Sequence, residues 1–461
     1  MARSVVSQAS VAASLRARLG GLVFLPEDAG YDRARTPWNL AVDQRPAAVA
    51  VPSSAADVVQ VIRAAADLGL KVVPQTTGHS AAPLAGRVDG TLLLRMTGAS
   101  EVVIDPEPRL ARVIGATTWQ RVAEAASVHG LAAMHGSGPD IGVAGYTLGG
   151  GLSWYARRFG LACNHVVAAE IVLADGTLHR VHATHEPELF WALRGGGGSF
   201  GVVTALDFEL LPLEEVYAGV LLWDDPAMTG RVCRAWAEWT HDLPEVATTS
   251  LRLLGRSRVS EARNIFPGRQ VVVIDGAVLG DRAAAEQLLA PLRALQPSVD
   301  TFSPTPAADL TRLHFDPELP SAGVSSHQLL KDFDVDAAAT FVAHAGVTSD
   351  TTLLSAEIRH LGGALARPAE DGGALSQVRG AYATYFLASG ATAELRAQGD
   401  ADTARAAEAL RPWSSGHNFL NFTDRGVDAA SAFDSPTLTR LRAVRDRVDP
   451  SRMFVTNHDL G

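Results

Sequence analysis

Cysteine is almost absent. The 461 residues hold two, Cys163 and Cys233, too few for a disulfide framework or a structural zinc site, so a reducing cytoplasmic setting fits and no metal centre is expected. Lysine is as scarce, with only Lys71 and Lys331. The formal net charge of −10 comes with no basic stripe, which argues against a nucleic-acid partner. Nowhere do eighteen apolar residues run together, so no membrane span is expected. The opening segment, Met1 to Gly20, sets Arg3, Arg16 and Arg18 among small and polar residues; lacking an uninterrupted apolar stretch, it does not read as a secretory signal. There is no internal repeat, no low-complexity tract and no pattern that specifies an oligomeric state.

What is present describes a globular protein. Hydrophobic residues make up 47% and charged residues 20%, and the length suits two or three domains. Pro46 to Pro52 reads as a short strand, Ser53-Ser54 as the cap of a helix with Val58, Val61, Ile62, Ala65 and Leu68 on one face, and Lys71 to Pro74 as the next strand. This βαβ unit runs straight into Gln75-Thr76-Thr77-Gly78-His79-Ser80, a turn where the backbone can approach a ligand. Ala111 to Gly115 and a helix capped by Thr117-Thr118 form a second unit. A dense glycine run, Gly136 to Gly151, follows; glycine cannot pack a core, and its exposed N–H groups suit anionic oxygens. Asp175-Gly176 marks a hairpin within Glu170 to Val181. Gly196-Gly-Gly-Ser-Phe-Gly201 matches G-x-G-x-x-G, but it follows a helix, Pro187 to Arg194, and opens a strand, Val202 to Leu210, which is the reverse of the dinucleotide-binding context.

After Leu211-Pro212 the composition changes. Strands such as Gln270 to Leu279 and Thr352 to Leu361 alternate with helices such as Arg282 to Leu295 and Asp402 to Leu410, which suggests a second α+β domain without a glycine cradle. A helix from Pro436 to Val448 dominates the last segment.

These residues carry a family resemblance. Pro46-Ala-Ala-Val, Gly78-His79-Ser80, Gly142-Val-Ala-Gly145 with Leu148-Gly-Gly-Gly151, Glu188-Leu-Phe-Trp-Ala-Leu-Arg-Gly-Gly-Gly, Gly201-Val-Val-Thr204, Arg359-His-Leu-Gly-Gly363 and Asp449-Pro-Ser-Arg-Met-Phe454 stand in the order found in berberine-bridge-enzyme-like flavoproteins. The chain resembles that group, within the vanillyl-alcohol oxidase and para-cresol methylhydroxylase type, over nearly its whole length. The resemblance implies an α+β fold in which residues 1–212 and 414–461 together form a two-part FAD-binding domain and residues 213–413 an inserted substrate-binding domain.

It also implies roles. His79 would bond covalently to the flavin through a ring nitrogen. Gln75, Thr76, Thr77, Gly78 and Ser80, with Gly142, Val143 and Gly145, would hold pyrophosphate and ring. Gly149 and Gly150 would allow close passage, Val203 would meet the adenine side, and Asn421 would position the isoalloxazine. Four departures stand out. Gly138 occupies the place of a second, cysteinyl attachment, leaving His79 as the sole expected tether. Gln75 replaces an arginine, and Asn164 an acidic residue. Phe419-Leu-Asn421-Phe422 replaces Tyr-x-Asn-Tyr, which removes the usual base.

The implied activity is an FAD-dependent oxidase taking hydride from a hydroxylated small metabolite, with dioxygen as acceptor. Oxygenation, oxidative cyclisation or rearrangement in secondary metabolism and non-catalytic metabolite binding are the alternatives. With phenylalanines at 419 and 422, the base must come from the middle domain. Glu357 is the first choice, because the family places its strand over the flavin and a partly buried carboxylate can rise in pKa toward neutrality; an ion pair with Arg359, on the same face by alternation, is the competing reading. Tyr382 and Tyr385 follow, then His360, His327 and His314, and an already acidic substrate would need no base.

Overall fold

A computed structural model of the protein describes residues 8–255, 270–346 and 349–461; the Arg3 part of the opening segment lies outside them. The first expected unit forms. Ser54 Oγ accepts the Asp57 amide at 3.1 Å, which satisfies one of the free donors of the helix Ala55–Leu68. Gly69 closes that helix at φ +65°, a left-handed position natural to glycine. The strands Ala48–Ala50 and Val72–Gln75 on either side are not neighbours, because Leu92–Arg95 lies between them and runs parallel to both. Val23–Phe24 completes this four-stranded sheet.

Thr117 and Thr118 do not cap as expected. Thr118 makes no side-chain bond to the helix Trp119–Ser127. Thr117 turns its hydroxyl back to the Ile114 and Glu101 carbonyls, so it closes the preceding strand instead. A five-stranded antiparallel sheet follows, in the order Ser100–Asp105, Leu110–Gly115, Val202–Glu209, Val166–Val172, Leu178–His182. The Asp175-Gly176 hairpin joins its last two strands in sequence, with Gly176 at φ +74°.

Strands between Glu215 and Ser389 build one eight-stranded antiparallel sheet. One face buries Trp236, Phe333, Phe341, Tyr382 and Phe386 beneath helices Thr229–His241 and Val335–Ala345. The other face carries Arg252, Glu357, Arg359 and Tyr385. The helix expected from Asp402 starts nine residues earlier, at Ala393, where Thr392 Oγ1 accepts the Leu395 amide at 3.2 Å. Its first turns, with Gln398, Gly399 and Asp400, carry no apolar periodicity for a sequence reading to detect.

The end of the chain returns to the beginning. Helix Ser435–Val448 buries Leu438, Leu441 and Val444 against Phe200 and Leu206 of the five-stranded region. Val72 and the tail exchange backbone bonds, Val72 N to Met453 O at 2.9 Å and Val455 N to Val72 O at 2.8 Å.

Arg157 ties the first part to the eight-stranded sheet. It is 4% exposed, and its guanidinium donates only to carbonyls: Leu361 at 2.7 Å, Leu243 at 2.9 Å, Pro244 at 3.0 Å and Ala247 at 2.5 Å. Arg157→Met leaves those buried acceptors without a donor, at about 1–3 kcal/mol for each one water cannot reach. Denaturant unfolding of this variant is expected to show a loss of at least about 3 kcal/mol.

Candidate functional site

A cavity with about 1690 Å³ of non-atom space, its open mouth included, lies between the four-stranded sheet, the five-stranded region, Arg359 of the eight-stranded sheet and the C-terminal segment. Its walls are the turn Pro74 to Ser80, Gly136 to Gly149 in part, Gly195 to Val203 in part, Arg359, Leu420 to Phe422 and Thr456 to His458. Glycines recur along this wall and let the backbone approach it closely. Gly78 sits at φ +84°, and a Cβ there would lie 2.6 Å from Pro37 Cβ. A Cβ on Gly142 would stand 2.6 Å from Thr76 Oγ1, and one on Gly149 only 1.7 Å from Asn421 Oδ1. Asn421 is held in turn by its Nδ2 donation to Tyr146 O at 2.7 Å.

Ten of the thirteen residues expected around the flavin other than His79 line this space, among them Gln75, Thr76, Thr77, Ser80, Gly145 and Val203. Three do not. Val143 is buried in the core of the five-stranded region. Gly150 packs against Leu375 and Phe419, and a Cβ on Gly138 would meet Ile141 Cδ1 at 3.0 Å, so both stand behind the wall. Gln75 does not aim at the space alone, since its amide pairs reciprocally with that of Gln44 at 3.0 and 3.2 Å.

His79 stands on the wall in a fixed orientation. Its ring stacks on Trp38 with centroids 4.2 Å apart. Thr77 Oγ1 lies 2.8 Å from Nδ1, and Asp140 Oδ1 lies 3.5 Å from Nε2. Trp38 Nε1 donates to the other Asp140 oxygen, which holds the carboxylate in place. Nothing local in the sequence pointed to Trp38 or Asp140.

The expected base assignments change. Glu357 is buried, and both its oxygens are engaged, Oε1 by Arg359 Nε at 2.7 Å and Oε2 by His314 Nε2 at 3.3 Å. Burial alone would raise its pKa, but the charges of Arg359 and His314 outweigh that and hold it well below the usual carboxylate range. Glu357 is therefore the ion-pair partner of Arg359 and not a carboxylate poised near neutrality. The cluster extends to Asp275, which His314 Nδ1 meets at 2.9 Å and Arg252 also pairs. Burial and Arg252 depress the His314 pKa, yet the carboxylates of Asp275 and Glu357 raise it above the ordinary histidine value. The signal for this cluster was Asp275 itself, a lone carboxylate in the apolar strand Val271–Val278.

Tyr382 faces the opposite side of its strand. It packs on Trp236 and Phe333, and its hydroxyl meets Thr240 Oγ1 at 2.9 Å, so it is a core tyrosine. Tyr385, three residues on, faces the cavity side. Its ring lies 5.8 Å from that of Phe422, and its hydroxyl donates to Asp424 Oδ2 at 3.3 Å. Ser325 Oγ donates to the same oxygen at 2.6 Å. Burial raises the Asp424 pKa against the opposing pull of Ser325, Tyr385, His79 and Arg425. Asp424 was not anticipated, since no periodicity marks a loop carboxylate two residues after Phe422.

The walls suit FAD on three grounds internal to the structure. Gly78, Gly142 and Gly149 bring backbone close where a Cβ would strike Pro37, Thr76 or Asn421, the Thr77 and Gly78 amides have no acceptor among the described residues, and the buried Tyr146 hydroxyl and His458 Nδ1 on the wall have no hydrogen-bond partner among them.

Comparison with known proteins agrees. The FAD binding domain family matches residues 46–182. The chain is 34% identical over 204 residues to (R)-6-hydroxynicotine oxidase of Paenarthrobacter nicotinovorans, covering 44% of each chain. It is 30% identical over 238 residues to xylooligosaccharide oxidase of Thermothelomyces thermophilus, covering 50% of this chain and 48% of the relative. The chain thus spans about half the length of the curated relatives it matches. In fold it superposes on the wild-type BBE-like 1 protein of Physcomitrella patens with a TM-score of 0.82 at 20% identity, covering 98% of this chain and 99% of that one. Residues 46–182 thus match an FAD binding domain, and nearly the whole chain shares the fold of a berberine-bridge-enzyme-like protein.

Proposed function

We propose that the protein is an FAD-dependent oxidoreductase that carries its flavin on His79 and oxidises a hydroxylated small metabolite, with dioxygen as acceptor. The observation that carries this reading is the placement of His79, fixed by Trp38, Thr77 and Asp140 on the wall of the glycine cradle. The relatives named as oxidases of 6-hydroxynicotine and xylooligosaccharides support the reaction class.

Asp140 beside Nε2 favours the tautomer with its proton there, and the Thr77 hydroxyl donates to the lone pair of Nδ1. Nδ1 would then be the ring nitrogen that carries the flavin. A second tether through sulfur has no support. Cys163 Sγ lies 3.5 Å from Leu375 O, and burial pushes its thiol up to about 12; Cys233 belongs to the core under the eight-stranded sheet.

Bound FAD would supply a two-electron acceptor for hydride from a substrate C–H bond. The chain must supply position and a place for the hydroxyl proton. Thr76, Thr77, Gly78, Gly142, Gly145 and Asn421 would hold the cofactor, and Phe422 and Arg359 line the same space. Beyond Phe422, Tyr385 Oη takes the substrate hydroxyl proton as it passes its own to Asp424 Oδ2. The substrate loses a hydride from carbon and a proton from oxygen, and leaves as the carbonyl compound.

Acid-precipitated wild-type protein is expected to keep its yellow colour in the pellet, and His79→Ala to release it to the supernatant; a His79→Ala pellet that stays yellow rules out the attachment. Stopped-flow bleaching under anaerobic conditions, with xylobiose and 6-hydroxynicotine as probes, addresses the relay. Tyr385→Phe and Asp424→Asn are each expected to slow bleaching by about 10²–10⁴-fold. Asp424 must be ionised to accept the proton and its pKa is raised, so the wild-type rate falls as pH drops through a value above the ordinary aspartate range. That acid limb disappears in Asp424→Asn.

A further inference from the structure

Arg95 ends the strand Leu92–Arg95, next to the strand that leads into the His79 turn. It is 7% exposed. Every hydrogen bond it makes goes to a carbonyl: Nε and Nη2 donate to Thr76 O at 3.1 and 2.8 Å, Nη2 to Thr77 O at 3.1 Å, and Nη1 to Ala34 O at 3.1 Å and Thr36 O at 2.5 Å. No carboxylate pairs with it among the described residues. Burial, with nothing opposing it, pulls its pKa down from the ordinary arginine value. A guanidinium stays charged all the same, so the fold buries a full positive charge directly behind the cofactor turn without a counter-charge of its own, an arrangement costly unless an anion is brought to it.

The hydrogen bonds also orient the turn. A trans peptide is planar, with its C=O and N–H pointing in opposite directions. Because the carbonyls of Thr76 and Thr77 are drawn toward Arg95, the amides of Thr77 and Gly78 point away from it, toward the cavity that these residues line. Trp38 N reinforces the second peptide by donating to Thr77 O at 2.9 Å. Neither amide finds an acceptor among the described residues. Successive free N–H groups of this kind form an anion-binding concavity. The wall itself offers little charge there, since Gln75 is neutral and paired with Gln44, and among the described residues Arg359 is the one arginine or lysine lining the cavity.

We propose that Arg95 is a positioning residue for cofactor attachment: it turns the Thr77 and Gly78 amides toward the cavity and, from behind, supplies the positive charge for the diphosphate of FAD that position 75 does not. The inference rests on the reading of His79 as the flavin tether. Arg95 touches neither flavin nor substrate, and acts by holding the diphosphate so that His79 meets the flavin methyl.

Two readouts test it in the full-length chain. The first is the fraction of flavin retained by acid-precipitated protein, per folded molecule, in wild type, Arg95→Lys, Arg95→Met and Arg157→Met. Arg157 is another buried, carbonyl-bound arginine, so its variant controls for lost stability. The second is the affinity for ADP, the diphosphate-bearing half of the cofactor, measured by calorimetry on flavin-free His79→Ala protein with and without the Arg95 substitutions. The expected result is a fall on the order of tenfold or more in ADP affinity for Arg95→Met, with Arg95→Lys recovering most of it. Covalent flavin falls in Arg95→Met and remains near the wild-type fraction in Arg157→Met. Wild-type ADP affinity in both Arg95 variants overturns the proposal, as does equal loss in Arg95→Lys and Arg95→Met. If Arg95→Met does not fold, Arg95→Lys decides: a reduced covalent fraction with near-normal ADP affinity supports the double role, and an unchanged fraction overturns it. A wild-type pellet without colour overturns the His79 reading instead, and the ADP measurement still judges the charge.

Discussion

Glycines carry the cavity wall where the backbone comes closest to it, and there no side chain fills the space. From that constraint follows much of the arrangement. Gly142, Gly149 and Gly78 are required because a Cβ at each would strike Thr76, Asn421 or Pro37, and removing the side chains leaves amides and carbonyls that need partners. The carbonyl side of the turn is met by Arg95 and Trp38. The amide side is left to the occupant of the cavity. Such a wall is not self-sufficient, and it must be braced from outside. The tail supplies part of that brace through Met453 and Val455 on either side of Val72, which explains why a segment nearly four hundred residues away belongs to the same body.

The eight-stranded sheet solves a different problem. Its two faces differ in kind, one an aromatic core under helices and the other a row of charges turned to the cavity side. Alternation decides which residue goes where, and it separates Tyr382 from Tyr385 because three is an odd spacing. The charged row is stable only as a closed set. Asp275 and Glu357 each accept from His314, while Arg252 and Arg359 neutralise the outer ends, so no member is buried alone. One consequence is that Glu357 is unsuited to proton transfer, since taking up a proton would leave Arg359 without its partner.

Much of this architecture was legible before the fold was known. The βαβ entry to His79, the Asp-Gly hairpin and the inverted context of the second glycine cluster all rest on local periodicity and turn chemistry, which the chain displays over a few residues. Alternation also put Glu357 and Arg359 on one face. What could not be read was any contact made by distant segments. Asp275 and His314 approach Glu357 from strands and loops about 43 to 82 residues away, and Asp424 reaches Tyr385 from a loop with no pattern of its own. Thr117 misled for a related reason: the residue type marks both caps and strand ends, and only the position of the Ile114 and Glu101 carbonyls decides between them.

The two arginines bound only by carbonyls show why sequence position and electrostatic role part company. Arg157 and Arg95 each gather backbone acceptors that the fold would otherwise bury unpaired, and both could be described as braces. They differ in what lies on the far side of the peptides they hold. The carbonyls that Arg157 holds belong to Leu243, Pro244, Ala247 and Leu361, none of which lines the cavity. Beyond the carbonyls of Arg95 are the Thr77 and Gly78 amides and the open cavity. A neutral glutamine at 75 is tolerable in such a site because the charge an anion requires need not project from the wall; it can be transmitted through two peptide dipoles from a guanidinium one layer deeper, where water does not screen it.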